Sequence, residues 1–300
     1  MERLRRNKIV IAVLVLPALV VYTFVLPYPL VRTAYYSVTN YNLLSPAHYV
    51  GLSNFTTLFT ADPEFRTALL NTFYLVVGCI ILQLPIAFLL AFWLSTSKLR
   101  YARFFRSVYF FPVAISGVAV GLIWQFLYQP KLGIIDEVVR LLGFHSFQFA
   151  WLANRTAAIW AVVIAVSWQY FGYHLLIFTA GMSTVPGSLL DAAKVDGANE
   201  WRLVTRIVAP LVKPFITVSL ILITTSSITS FASVIALTGG GPGYSSSVLS
   251  LEMYQNALFY SRYGYGSAIA VVLTVMNILA VIVIGFGMYR SPWRRVRASA

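Results

Sequence analysis

Charged residues are so few, and so gathered into short clusters, that they divide the chain into seven long windows free of Asp, Glu, Lys and Arg. These are residues 9–31, 33–61, 67–97, 107–130, 156–190, 214–251 and 263–289. One such side chain at the middle of a bilayer costs about 2.5–3.5 kcal/mol, so these windows are where a chain can cross lipid. Composition agrees: 59% of the residues are hydrophobic and 10% charged, against roughly 25% charged in soluble domains, which must wet a surface. A water-soluble globule is excluded.

Window 33–61 carries Asn40, Asn42, Ser45, Pro46, His48, Gly51, Ser53 and Asn54, whose polarity and turn chemistry predict a loop with short structure. The other six windows each hold the roughly 20 residues needed to cross about 30 Å of hydrocarbon at 1.5 Å per residue. The expectation is an all-α polytopic membrane protein with six transmembrane helices. The first follows a basic start but is too long for a signal-peptide core and lacks an A-x-A cleavage site, so it is read as a span. Pro17, Pro27 and Pro29 are expected to bend or end it.

An even number of crossings puts both termini on one side. That side holds sixteen of the 22 basic residues, in the N-terminus, the loops around Lys98–Arg106 and Lys194–Lys213, and the tail from Arg290. The other holds six: Arg32, Arg66, Lys131, Arg140, Arg155 and Arg262. By the positive-inside rule both termini are cytoplasmic. The net charge of +13 is thus a topology signal, not a nucleic-acid surface. Three segments are expected: an N-terminal helix and extracytoplasmic loop over 1–66, a five-helix core over 67–289 containing a cytoplasmic loop at 183–213, and a basic cytoplasmic tail over 290–300.

Chemistry has little place in these spans. Proton and sodium relays use intramembrane carboxylates or cations, and the six windows offer only His174, read as a structural histidine or a relay group. Cys79 is the single cysteine and His48, His145 and His174 stand apart, so neither a disulfide framework nor a metal site is expected. No catalytic residue and no cofactor held by this chain are expected. The run Thr238-Gly239-Gly240-Gly241-Pro242-Gly243 lacks the G-K-[ST] ending of a phosphate loop and falls outside the cell. It is either a sharp turn using positive φ or a docking loop for an external partner. The cytoplasmic carboxylates Asp191, Asp196 and Glu200 keep a polytopic enzyme acting on lipid-linked sugar as an alternative. An ion-coupled carrier is another.

The most informative stretch joins spans four and five. Pro186 suits the first turn of a short helix over Leu189, Leu190, Ala192 and Ala193 that ends at Asp196-Gly197. Asn199 is a candidate N-cap for a second helix, on which Trp201, Val204, Ile207, Val208 and Leu211 recur at three- and four-residue spacing. Pro210 and Pro214 mark its join to span five. Two short helices meeting at a Gly, with small Ala side chains, form either a compact element that another protein's groove can enclose or an amphipathic hairpin resting on lipid headgroups.

This loop resembles the EAA loop of the inner-membrane permease subunits of binding-protein-dependent ABC importers, written E-A-A-x-x-D-G-A followed by an aromatic residue, an Ile and a Pro. Asp191-Ala192-Ala193, Asp196-Gly197-Ala198, Trp201, Ile207 and Pro210 fall on it in register. Asp191 stands where the family has Glu, keeping the carboxylate on a shorter side chain, and Leu203 or Val204 where Phe is frequent. Gly51-Leu52-Ser53-Asn54-Phe55, Asn71-Thr72, Phe111-Pro112, Trp168-Gln169 and Thr238-Gly239-Gly240-Gly241-Pro242 are similar to the carbohydrate-uptake branch. Within it, the chain resembles the first permease of the pair in maltose or glycerol-3-phosphate systems.

The resemblance implies a type I ABC importer permease fold in a bacterial or archaeal plasma membrane. It implies a heterodimer with a second permease, two ATP-binding cassette subunits that carry the ATP and Mg, an extracytoplasmic solute-binding protein, surrounding lipid and no nucleic acid. It also implies that Leu190, Asp191, Ala192, Ala193, Asp196, Gly197, Ala198 and Trp201 couple to the ATPase, and that Gly239, Gly240, Gly241 and Pro242 dock the binding protein. Substrate is expected to pass the hydroxyl-rich fifth span at Thr225, Ser226, Thr229, Ser230 and Phe231, with Gln83, Gln125, Gln169, Tyr170 and Asn277 as further lining candidates. The same Ser and Thr side chains also suit close helix packing. The absence of Lys and Arg from the spans favours a neutral sugar over glycerol phosphate.

Overall fold

The computed structural model describes residues 8–96, 102–130, 132–144 and 149–290. His145, the basic residues Arg3, Arg5, Arg6, Lys98, Arg100 and Lys131, and the tail beyond residue 290 lie outside them. Two compact units are present: residues 1–62 with 253–272, and residues 63–252 with 273–300.

In the first unit, α1 (Lys8–Val25) contains Pro17, and the chain breaks at Leu26 before α2 (Pro27–Ser37) resumes with a proline in its first turn. This follows from proline's fixed φ and missing N–H, which suit a first turn. From Val13 to Val25 the side chains are exposed, with Leu14 at 73% and Phe24 at 70%, as lipid-facing residues are. The helix runs on past Arg32 to Ser37, further than the uncharged window. Residues 38–52 form the expected loop, with isolated bridges Thr39–Tyr49 and Asn42–Ser45, followed by α3 (Ser53–Thr60). Asn54 Nδ2 donates to the carbonyls of Ser37 at 2.8 Å and Thr39 at 2.9 Å, holding the turn that follows α2. The Tyr265 hydroxyl donates to the Asp62 carboxylate.

The second unit is built on α4 (Pro63–Thr96) and its neighbours α5 (Ala102–Phe110), α6 (Gly117–Leu127), α7 (Ile134–Leu141) and α8 (Ala157–Met182). The chain continues through α9 (Gly187–Val195), α10 (Glu200–Leu211), α11 (Lys213–Ile228), α12 (Ala232–Leu237), α13 (Leu249–Tyr254) and α14 (Tyr263–Arg290). Helices α4 and α8 pack through small residues, Ala68, Cys79, Ala87 and Ala91 on one and Ala158, Ala161 and Ala165 on the other, all fully buried. Without a hydrophobic drive between helices in lipid, such close approach supplies the dispersion contacts. At Gly172 a Cβ would lie 1.8 Å from the Tyr109 carbonyl oxygen, so only glycine lets α5 cross α8 backbone to backbone.

Among the described residues four helices are long and apolar enough to span a membrane: Val13–Ser37, Pro63–Thr96, Ala157–Met182 and Tyr263–Met288. Two bent pairs raise the number to six if each is one span. The window 107–130 is thus not one helix. After a short 3-10 turn at Phe111–Ala114 the backbone extends at Ile115, and the Ser116 hydroxyl accepts from the Ala119 N–H to start α6, which is turned by 101°. The window 214–251 is also interrupted. Helix α11 stops at Ile228, where the Thr229 hydroxyl bonds back to the Thr225 carbonyl at 2.9 Å and Ser226 to Ile223 at 3.1 Å. Hydroxyls that compete for main-chain carbonyls weaken a helix from within.

Candidate functional site

The loop between α8 and α11 forms a helical hairpin standing on a buried base. Pro186 is the N-cap of α9 and lies just before its first turn, not in it. At the other end the Ala198 N–H reaches the Ala193 carbonyl at 2.9 Å and the Gly197 N–H the Lys194 carbonyl at 3.0 Å. This double bond pattern closes a helix through a left-handed residue, and Gly197 has φ +79°. Asn199 then caps α10, its Oδ1 accepting from the Arg202 N–H at 2.9 Å.

Within α10, residues 203–208 wind as a π-helix, which shifts the buried face. Leu203, Val204 and Val208 are buried while Trp201 is 67% exposed, although the three- and four-residue spacing groups Trp201 with Val204 and Val208. Leu203, missed by that pattern, takes the inward place. The base of the hairpin includes Ala87, Ala91, Phe92, Leu175, Phe178 and Val212, against which Leu190, Ala193 and Ala198 pack. Of the remaining coupling candidates, Asp191, Ala192, Asp196, Gly197 and Trp201 are all exposed. The two adjacent alanines therefore face different ways.

The glycine-rich run sits on a braced loop. Gly239, Gly240 and Gly243 all have positive φ. The Ser246 hydroxyl bonds to Thr238 Oγ1 at 2.8 Å and to the Gly241 carbonyl at 2.6 Å. Asn71 Nδ2 donates to the carbonyls of Ser245 and Ser247 at 3.0 and 2.9 Å, and Thr72 Oγ1 accepts the Leu249 N–H at 3.0 Å. The buried Glu252 carboxylate accepts from the Ser247 hydroxyl at 2.8 Å. Gly239 is exposed, Gly241 and Pro242 half-buried and Gly240 buried. The clamp of Asn71, Thr72, Ser247 and Glu252 has no local sequence signal beyond a polar pair at the start of an apolar helix.

The pathway candidates fall into layers. Gln83 and Gln169 are buried at 2% and 1% exposure. Gln169 Nε2 donates to the Ile115 carbonyl at 2.9 Å and its Oε1 accepts from Ser233 at 3.4 Å, bracing the bend before α6. Gln83 Nε2 meets Ser167 Oγ at 3.5 Å. Thr225, Ser226, Ser230 and Phe231 flank the break after α11, with Thr229 between them; Tyr170 and Asn277 are half-buried. Exposed Gln125 lines a groove of about 460 Å³ with Phe126, Gln129, Pro130 and Ala153. His174 is buried and its Nδ1 has no partner among the described residues.

Residues 83–290 match the family described as the binding-protein-dependent transport system inner membrane component. The chain belongs to that family. Its members are transporter permease subunits, not enzymes. This permease is 31% identical to a probable ABC transporter permease of Pyrococcus horikoshii over 95% of this chain and 97% of that one. It is 32% identical to a probable starch degradation products transport system permease of Thermoanaerobacterium thermosulfurigenes, over 89% and 88% of the two chains. Its fold is that of a chain in the crystal structure of a bacterial alginate ABC transporter in complex with an alginate pentasaccharide-bound periplasmic protein. The TM-score is 0.80 at 22% identity, covering 94% of each chain. The permease thus has the type I ABC importer fold.

Proposed function

We propose that this chain is one of two paired permeases in an ATP-driven importer that carries a neutral sugar or oligosaccharide into the cytoplasm. The observation that carries the coupling reading is the hairpin: an outer edge of Asp191, Ala192, Asp196, Gly197 and Trp201 on a base locked into the core by Leu190, Ala193 and Ala198. A rigid element of this kind transmits displacement without melting. Two ATP-binding cassette subunits, which hold the ATP and Mg, enclose that edge. Their closure moves the permease pair between inward- and outward-facing states.

The chain crosses a bacterial or archaeal plasma membrane six times, with each bent pair counting as one crossing and both termini cytoplasmic. Residues 67–289 form the permease core, 1–66 an additional helix with its external loop, and 290–300 the basic tail. The braced run Gly239, Gly240, Gly241 and Pro242 presents a fixed shape to an extracytoplasmic solute-binding protein. Substrate passes Thr225, Ser226, Thr229, Ser230 and Phe231 at the break after α11, with Gln125, Tyr170 and Asn277 lining the route and Gln83 and Gln169 in the layer behind it. Sugar as cargo is supported by the names of relatives such as the starch-product permease.

The test is purification of the tagged chain in mild detergent, identification of its companions, and reconstitution with candidate binding proteins. Recovery of a second permease and an ATPase subunit, with labelled oligosaccharide uptake that needs ATP, is expected. A lone chain, or uptake abolished by an uncoupler while ATP is held constant, would overturn the reading.

A further inference from the structure

Among the six basic residues on the predicted external side, Arg155 stands where the physics of the fold disfavours it. It directly precedes Thr156, the N-cap of α8, a helix with no acidic residue in its first turn. A cation at the positive end of a helix is destabilising by the same macrodipole that favours acids there. The positive-inside bias also opposes an external Arg. Neither effect is relieved locally: Arg155 is exposed, and no hydrogen bond or ion pair to it is found among the described residues. Three of the predicted external acids are engaged elsewhere, Glu137 with Arg140, Glu252 with Ser247 and Asp62 with Tyr265.

Its surroundings are nevertheless ordered. The Asn154 Oδ1 accepts from the N–H groups of Thr156 at 2.9 Å and Ala157 at 3.1 Å, and the neighbouring Trp151 and Leu152 pack on the core. The guanidinium lies over Gly243, its Nη2 3.3 Å from where a Cβ would stand. A cation without an acidic partner among the described residues is thus held at the rim of the braced glycine-rich loop. We propose that Arg155 is a docking contact that pairs with a carboxylate on the extracytoplasmic solute-binding protein. This rests on the importer reading and its topology, and adds to it a specific charge and the partner chemistry it takes.

The experiment uses the reconstituted complex and measures ATPase stimulation against binding-protein concentration, for wild type, R155E, R155A and R155K. The half-stimulating concentration is expected to rise roughly tenfold or more in R155E and less in R155A, as for loss of a rim ion pair. R155K, which keeps the charge, stays within about threefold. Wild-type apparent affinity falls with rising salt, and R155E flattens that dependence. A Lys substituted for the paired acid on the binding protein restores R155E. A stimulated wild type with R155E and R155A at the same half-stimulating concentration would overturn the docking assignment alone, including the case in which only anionic-lipid or acidic-substrate dependence changes. A wild-type complex stimulated by no binding protein would overturn the importer reading, and this contact with it.

Discussion

The carboxamide of Asn71 donates to the carbonyl oxygen of Ser247 at 2.9 Å, joining α4 to a loop 176 residues further along the chain. The same nitrogen also serves the Ser245 carbonyl, so one side chain satisfies two main-chain acceptors that lie outside any helix. Asn71→Ala leaves both without this donor, at about 1–3 kcal/mol for each one kept from water. A lower melting temperature of the purified permease and faster proteolysis between residues 239 and 248 are expected. Asn71→Asp, which turns an acceptor toward two acceptors, is the more damaging change; equal stability of the two variants would contradict this account.

Ala192 and Ala193 separate contact from packing. Ala193 is 8% exposed in the base of the hairpin, so Ala193→Leu overpacks the core by about 1–3 kcal/mol and lowers thermal stability. Ala192→Leu adds its bulk on the exposed edge, leaves the melting temperature within experimental error and reduces co-purification of the ATPase subunit. The reverse pattern would place the two residues the other way round.

Gly197 adopts φ +79° with no atom within 4 Å of where a Cβ would stand, so space is available and only the backbone objects. A non-glycine residue in this left-handed conformation costs roughly 1–2 kcal/mol, a local cost that the hairpin bears. Gly197→Asp is therefore expected to insert and assemble while ATP hydrolysis proceeds without uptake. Full uptake at wild-type stoichiometry would remove the hairpin from the coupling path.

Gln169 engages both ends of its amide, on Ile115 and on Ser233. Gln169→Leu keeps the approximate volume and deletes both bonds, leaving the Ile115 carbonyl without this donor at about 1–3 kcal/mol. Slower uptake with an unchanged half-stimulating concentration of binding protein is the expected result. If affinity for the binding protein shifted instead, the brace would belong to the docking face.

Much of the architecture was legible because its causes are local. Uncharged windows, the capping Asn199 and the Asp196-Gly197 stop act within a few residues, and the structure has helices and breaks at those places. The bend after Ile115 was not legible, since Phe111-Pro112 reads as one more apolar pair in an uninterrupted window and the brace that holds the turn comes from Gln169. The π-helical stretch at Leu203–Val208 likewise moved Trp201 outward, because a wider turn breaks the three- and four-residue spacing from which a buried face is read.

Hydropathy, charge and capping are properties of neighbouring residues, and they suffice to mark long apolar helices suited to lipid and the Asp196-Gly197 stop and Asn199 cap of the hairpin between α8 and α11. The burial of Ala193 beside exposed Ala192, the bracing role of Gln169, the hold of Asn71 on the glycine-rich loop and the position of Arg155 over Gly243 emerge only from the folded molecule. Each depends on contacts between segments far apart in the chain, made where small residues let backbones approach, and no local pattern encodes which distant group will be there to meet them.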